Sequence, residues 1–235
     1  MKKRRSFKGS LIIITLSIII ILCAFVALKT DFFYLKNINI LGNKIVKENQ
    51  IIKASGLKGN INILFADKDL IENNVLEIPR VKSVKVTKNY PATIEVKIIE
   101  RELLYYNKTE LGYEMIDNDG VQYDFCEEIE DENPILNIEN RGEMSKEQLL
   151  LEISEIVKQN SWNKDIKMIN FNEKTIKINT SFGISVVFVG VNDIQYSVRF
   201  AQKILNDLIQ KGTDSGEIHF YNNADPVYFP SEEEM

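Results

Sequence analysis

Histidine is almost missing from this chain of 235 residues, which has one, His219. A histidine-centred metal site or a Ser-His-Asp arrangement therefore has little to draw on, and a strand histidine without partners reads as a plain surface or half-buried residue. Cysteine is nearly as scarce. Cys23 lies in an apolar run and Cys126 far beyond it, so the two are not expected to pair, and the fold must be held by its core rather than by disulfides. There is no glycine-rich phosphate loop. The nearest approach to a calcium loop, Asp117-Asn118-Asp119-Gly120, has Cys126 where the glutamate six residues after the glycine should stand, so a β-turn is the better reading. Glu127, Glu128, Glu130, Asp131 and Glu132 cluster without a nucleophile, base or oxyanion donor, as a solvated face would. Trp162, the single tryptophan, sits at a helix exit and reads as a packing residue. No catalytic residue, metal or cofactor is expected.

Basic charge is confined to one end. Lys2, Lys3, Arg4, Arg5 and Lys8 precede an apolar run from Leu11 to Leu28, which Thr15 and Ser17 barely interrupt. About 18 residues at roughly 1.5 Å each span about 27 Å, close to the hydrocarbon thickness of a bilayer. The basic flank places the N-terminus in the cytoplasm and nearly everything after Leu28 outside. A cleaved signal peptide would share the basic start, but the spacing around Ala24 and Ala27 lacks its small-residue cleavage pattern, so an uncleaved anchor is expected. The formal net charge is −5; setting aside the five basic residues of the tail leaves about −10 on the rest. An acidic outer region argues against nucleic acid and against broad adhesion to anionic lipid.

The outer region is long enough for two domains. Phe32 to Leu41 alternates as a strand and ends in Gly42-Asn43; Ile45 to Ala54 reads as a helix stopped by Gly56. Asp67 is a good N-cap for a second helix that would bury Leu70, Ile71, Val75 and Leu76 before Pro79. Then comes the clearest pattern in the chain. Val84 and Val86, followed by Ile94, Val96 and Ile98, recur at period two across the break Asn89-Tyr90-Pro91-Ala92, an amphipathic hairpin with one apolar face. Two helices can cover one face of the resulting three-stranded mixed sheet. After Arg101, short strands are expected at Leu103 to Tyr106, Gly112 to Ile116, Gly120 to Phe125 and Pro134 to Leu136. A helix follows from Ser145 to Asn160, then a meander at Ile166 to Phe171, Thr175 to Asn179 and Ile184 to Val189. The longest helix of the outer region runs from Asp193 to Lys211, with late strands at Gly216 to Tyr221 and Pro226 to Phe229. The fold class is α+β: tail 1–10, transmembrane helix 11–29, a β-α-α-β-β module 32–101, a mixed β domain with two helices 102–230, and a short acidic end 231–235.

The basic tail and single span, the Gly42-Asn43 turn, and the Ile-Pro-x-Val-x-x-Val-x-Val-x-x-x-Tyr-Pro-x-x-Ile-x-Val-x-x-x-Glu-Arg run from Ile78 to Arg101 together resemble the FtsQ/DivIB family of bacterial cell-division proteins. The first module looks like their POTRA domain and the second is similar in outline to their β domain. Tyr228-Phe229-Pro230 looks like the Gram-positive DivIB type, whereas His219, Tyr221 and Asn222 depart from residues common in relatives. The resemblance implies a non-enzymatic divisome scaffold at the septal cell membrane. Its implied partners are FtsL-type and FtsB/DivIC-type bitopic proteins, with influence on a septal peptidoglycan synthase. A late edge strand suits such a role, because its unpaired backbone groups can accept a partner segment as an added strand. Glu217, Ile218, His219, Phe220, Tyr221 and Asn222, the neighbouring Val227, Tyr228 and Phe229, and the helix residues Arg199 and Lys203 form the expected edge. For the first module, a second docking surface and a plain spacer stay equally open. A different class of function, a membrane-anchored module that binds peptidoglycan or another wall polymer, would need convergent aromatic residues in a cleft. A wall enzyme would need a pocket with carboxylates of perturbed pKa.

Overall fold

The computed structural model describes residues 7–29, 31–129, 131–158, 165–190, 194–222 and 224–231, with no side-chain description at 7, 8, 10, 24 and 26–29. Most of the basic tail, Glu130, Trp162, Asp193 and most of the acidic end lie outside those residues. The chain divides into two compact units, Met1–Glu100 and Arg101–Met235.

In the first unit, α1 (Phe7–Lys29) covers the apolar run, and each large apolar side chain from Leu11 to Leu22 is at least 50% exposed. Among the described residues, no helix is long and apolar enough to cross a membrane. A 3-10 turn at Asp31–Phe33 leads to β1 (Asn37–Leu41), α2 (Glu48–Ser55), α3 (Lys68–Leu76), β2 (Val81–Asn89) and β3 (Thr93–Glu100). The strand expected from Phe32 begins only at Asn37, because Leu35 N–H donates to Ile61 O and Phe33 O accepts from Ile63 N–H, so these groups go to a loop and not to the sheet. The sheet order is β1-β3-β2, with β1 parallel and β2 antiparallel to β3. The expected hairpin forms in register from Lys85↔Lys97 to Asn89↔Thr93. Its apolar face, Val86, Ile94, Val96 and Ile98, is buried against Ile51 of α2 and Ile71 and Val75 of α3. Asp67 caps α3 by accepting from the N–H groups of Asp69 and Leu70, as its position suggested. Leu70 and Leu76, expected in the core, are instead 57% and 42% exposed, because the nine-residue helix turns only the stripe through Ile71 and Val75 toward the sheet.

Among the described residues, the second unit is one nine-stranded sheet carrying two helices. Its elements are β4 (Leu103–Lys108), β5 (Tyr113–Asp117), β6 (Gln122–Cys126), β7 (Ile135–Asn140), α4 (Lys146–Lys158), β8 (Ile166–Asn172), β9 (Thr175–Thr180), β10 (Ile184–Val189), α5 (Ile194–Gln210), β11 (Gly216–Tyr221) and β12 (Val227–Phe229). The order β12-β11-β10-β9-β8-β7-β4-β5-β6 contains three parallel pairs, β10 with β11, β7 with β8 and β4 with β7. Parallel neighbours need a crossover, and two of these pairs use a helix for it: α4 joins β7 to β8, and α5 joins β10 to β11. Both helices bury their apolar stripes in one core, Leu149, Ile153 and Ile156 from α4 and Val198, Ala201 and Leu205 from α5, against Leu136, Ile169, Ile178 and Val186 of the sheet. Tyr105 Oη donates to Leu150 O at 2.9 Å, tying β4 to α4 inside that core. The Asp117 to Gly120 turn forms as a β-turn, with Asp117 Oδ1 accepting from Asp119 and Val121 N–H and Oδ2 pairing with Arg101.

Candidate partner-binding edge

Alternation in β11 splits its side chains between two faces. Ile218 and Phe220 point into the core and are buried, while Glu217, His219 and Tyr221 stand on the other face. On that face the polar groups form a connected line. Lys177 Nζ of β9 donates to Glu217 Oε1 at 2.7 Å, Glu217 Oε2 meets His219 Nε2 at 2.7 Å, and Tyr221 Oη lies 3.2 Å from His219 Nδ1. The His219 and Phe229 rings also pack in a T-shaped pair with 4.9 Å between their centroids. His219, which looked partnerless in the sequence, is thus held by Glu217, Tyr221 and Phe229. The Lys177 ammonium first, and the His219 contact second, hold the Glu217 carboxyl below the usual carboxylate range despite partial burial.

The expected edge strand is corrected by the sheet order. β11 pairs with β10 along its whole length and with β12 at Glu217↔Phe229, Ile218↔Tyr228 and His219↔Val227, so from 217 to 219 it is an interior strand and β12 is the outer one. The reason is the α5 crossover, which lays β11 parallel to β10 and leaves its far side for the returning chain. Tyr228 Oη donates to Ser215 O at 2.6 Å and anchors β12 at one end. Pairing with β12 stops at His219, so Phe220 and Tyr221 have sheet partners on β10 alone, and Asn222 lies beyond the strand, exposed. Val227 and Phe229 of β12 are 43% and 46% exposed.

Where β12 stops, α5 takes over the surface. The Phe200 ring contacts Phe220 at 6.1 Å and Tyr196 at 6.3 Å, continuing a row that starts from Phe188 against Phe220 at 5.2 Å in the core. Tyr196 is 61% exposed, and Arg199 and Lys203 are exposed one turn apart on the same helix. The structure thus brings Glu217, His219, Tyr221, Val227 and Phe229 together, and Phe200 joins Tyr196, beside Arg199 and Lys203, to the end of β11. Ile218 and Phe220 serve as core beneath. Sequence reading passed over Tyr196, Phe200 and Lys177. The first two were legible as an aromatic pair at i,i+4 interleaved with Arg199 and Lys203; Lys177 had no such signal. Among the described residues, no group of three His, Cys, Asp or Glu side chains could hold a metal ion.

Residues 33–101 match the family model of the POTRA domain, FtsQ-type. The chain is 33% identical over 118 residues to the cell division protein DivIB of Clostridium acetobutylicum, covering 50% of this chain and 46% of that protein. It is 34% identical over 131 residues to the DivIB of Clostridium botulinum strain Loch Maree, covering 54% of this chain and 49% of that one. It is 33% identical over 84 residues to the cell division protein FtsQ of Corynebacterium glutamicum, covering 36% and 38%. The aligned span is about half the length of those DivIB proteins. A solved structure of the major extracytoplasmic domain of the trans isomer of DivIB from Geobacillus stearothermophilus aligns with 38% of this chain and 79% of its own at 11% identity and a TM-score of 0.32, too slight to bear on the fold.

Proposed function

We propose that this chain is a member of the FtsQ/DivIB family of bacterial cell-division proteins and acts in division as a non-enzymatic scaffold. It is held in the cell membrane by α1 with its bulk outside, and it binds FtsL-type and FtsB/DivIC-type bitopic proteins at the septum. Through them it influences septal peptidoglycan synthesis. The observation that carries this reading is the short outer strand β12. It is the outermost strand of its sheet among the described residues, its Val227 and Phe229 are exposed, and α5 presents Tyr196, Arg199, Phe200 and Lys203 near the end of β11. A partner segment can add to this edge by main-chain hydrogen bonds while its own apolar side chains reach those rings. The basic pair on α5 would favour acidic residues beside that strand.

The test is co-purification of the DivIC-type partner with full-length protein from membranes. Val227→Asp combined with Phe229→Asp is expected to weaken recovery of the partner at least about ten-fold, since truncating a hot-spot side chain at the centre of an interface costs about 2 kcal/mol or more and about 1.4 kcal/mol is ten-fold. Tyr196→Ser with Phe200→Ser should weaken it in the same direction. Undiminished recovery from both variants, with unchanged circular dichroism, would remove this edge as the docking site.

A further inference from the structure

Three exposed aromatic side chains gather at one end of the first unit. Phe32 is 58% exposed, Phe65 73% and Tyr90 60%, and each comes from a different connection: the segment entering β1, the turn before α3 and the β2–β3 turn. Backbone hydrogen bonds tie all three to one short stretch, residues 33–37. Phe33 O accepts from Ile63 N–H at 2.9 Å and Leu35 N–H donates to Ile61 O at 2.8 Å, which seats the turn that carries Phe65. Ala92 O accepts from Lys36 N–H at 2.8 Å and Asn37 N–H at 3.2 Å, which seats the turn that carries Tyr90. Asn62 fixes the first turn further, its side chain accepting from Leu64 N–H and its carbonyl from Phe65 N–H.

That stretch follows α1 at once. α1 ends at Lys29, and the chain from there to Phe33 spans at most about 14 Å. Each large apolar side chain from Leu11 to Leu22 is exposed on that helix, a surface suited to lipid. Two lysines accompany the aromatic rings: Lys36 is exposed, and Lys88 Nζ donates to Leu64 O at 3.3 Å, beside Phe65. Asp31, next to Phe32, and the exposed cap residue Asp67, two positions past Phe65, are opposing charges there. Aromatic rings with basic neighbours, a few residues beyond an apolar helix, are the composition that settles at a membrane–water interface.

We propose that this end of the first unit lies in the headgroup layer of the bilayer, with Phe32, Phe65 and Tyr90 as interfacial anchors and Lys36 and Lys88 facing lipid phosphate. The inference rests on α1 being the membrane anchor and adds to it that the unit is seated on the lipid rather than tethered free of it. The test uses full-length protein, with Trp162→Phe to remove the native tryptophan, reconstituted into vesicles of phosphatidylcholine and phosphatidylglycerol. Tryptophan is then placed singly by Phe65→Trp, Tyr90→Trp, Leu41→Trp at the far end of β1, and Ile18→Trp within α1. Lipids with a quencher near the headgroup are expected to reduce emission at 65 and 90 at least about two-fold and to leave 41 unchanged, while a quencher deep in the acyl chain reduces emission at 18. If 18 is quenched and neither 65 nor 90 exceeds 41, the seating is overturned and the anchor stands. If 18 is not quenched, the anchor fails and the seating falls with it.

Discussion

Glu100 shows how much one side chain organises in the first unit. It is only 9% exposed, and its carboxylate accepts from the backbone N–H groups of Lys44, Ile45 and Val46, closing the loop between β1 and α2 onto the end of β3. Burial pushes its pKa up, but those three N–H groups and the charge of Arg80 outweigh it and hold the carboxyl below the usual range. Gly42 makes the approach possible: it has φ +85°, and a Cβ there would run into the Ile98 carbonyl. A carboxyl with a depressed folded pKa contributes stability that is fully present above its unfolded value, near 4.3, and is lost as pH falls through the lower folded value. Glu100→Gln is therefore expected to cost about 1–2 kcal/mol at neutral pH in urea unfolding and to lessen the loss of stability in that acid window. Glu100 stands in the Glu-Arg motif that carried the family likeness, but nothing local in the sequence disclosed its three backbone partners, which lie more than 50 positions away.

At the scale of elements, the two sheets treat their outer strands differently. In the first unit β2 is an outer strand, yet Glu72 of α3 accepts from Val86 N–H at 2.7 Å, so a helix side chain satisfies a backbone group that would otherwise face a newcomer. In the second unit β12 is three residues long and ends at the exposed Phe229 ring. Glu72→Ala is expected to destabilise the first unit by about 1–3 kcal/mol and to speed amide exchange at Val86, read by NMR, because that half-buried N–H loses its acceptor. The existence of nearly every element was legible, since period two in the hairpin and helical spacing in α4 and α5 are local properties of the chain. Which strand would be outermost was not. The edge expected at β11 came from the family likeness, and the alternation of Glu217, His219 and Tyr221 with Ile218 and Phe220 looks the same beside one neighbour or two.

At the scale of the whole molecule, the two units have separate cores. Ile94, Val96 and Ile98 belong to one cluster of buried side chains, and Leu136, Ile169 and Ile178 to the other. Ile94→Ala is expected to destabilise the first cluster by about 2–5 kcal/mol through the cavity it leaves, raising amide exchange in β3 while β9 keeps its protection; Leu136→Ala should do the reverse. The order of apolar and polar residues by itself determined the helices, the hairpin and its buried face, the Asp67 cap and the Asp117 turn, because each depends on neighbours a few positions apart. Tertiary structure alone decided that β12 and not β11 is outermost, that Leu70 and Leu76 stay in solvent, that Lys177 reaches Glu217, and that Phe32, Phe65 and Tyr90 share one end. These outcomes depend on contacts between distant segments, whose order is set by the parallel crossovers and by competition for a single core, and no window of sequence contains both partners.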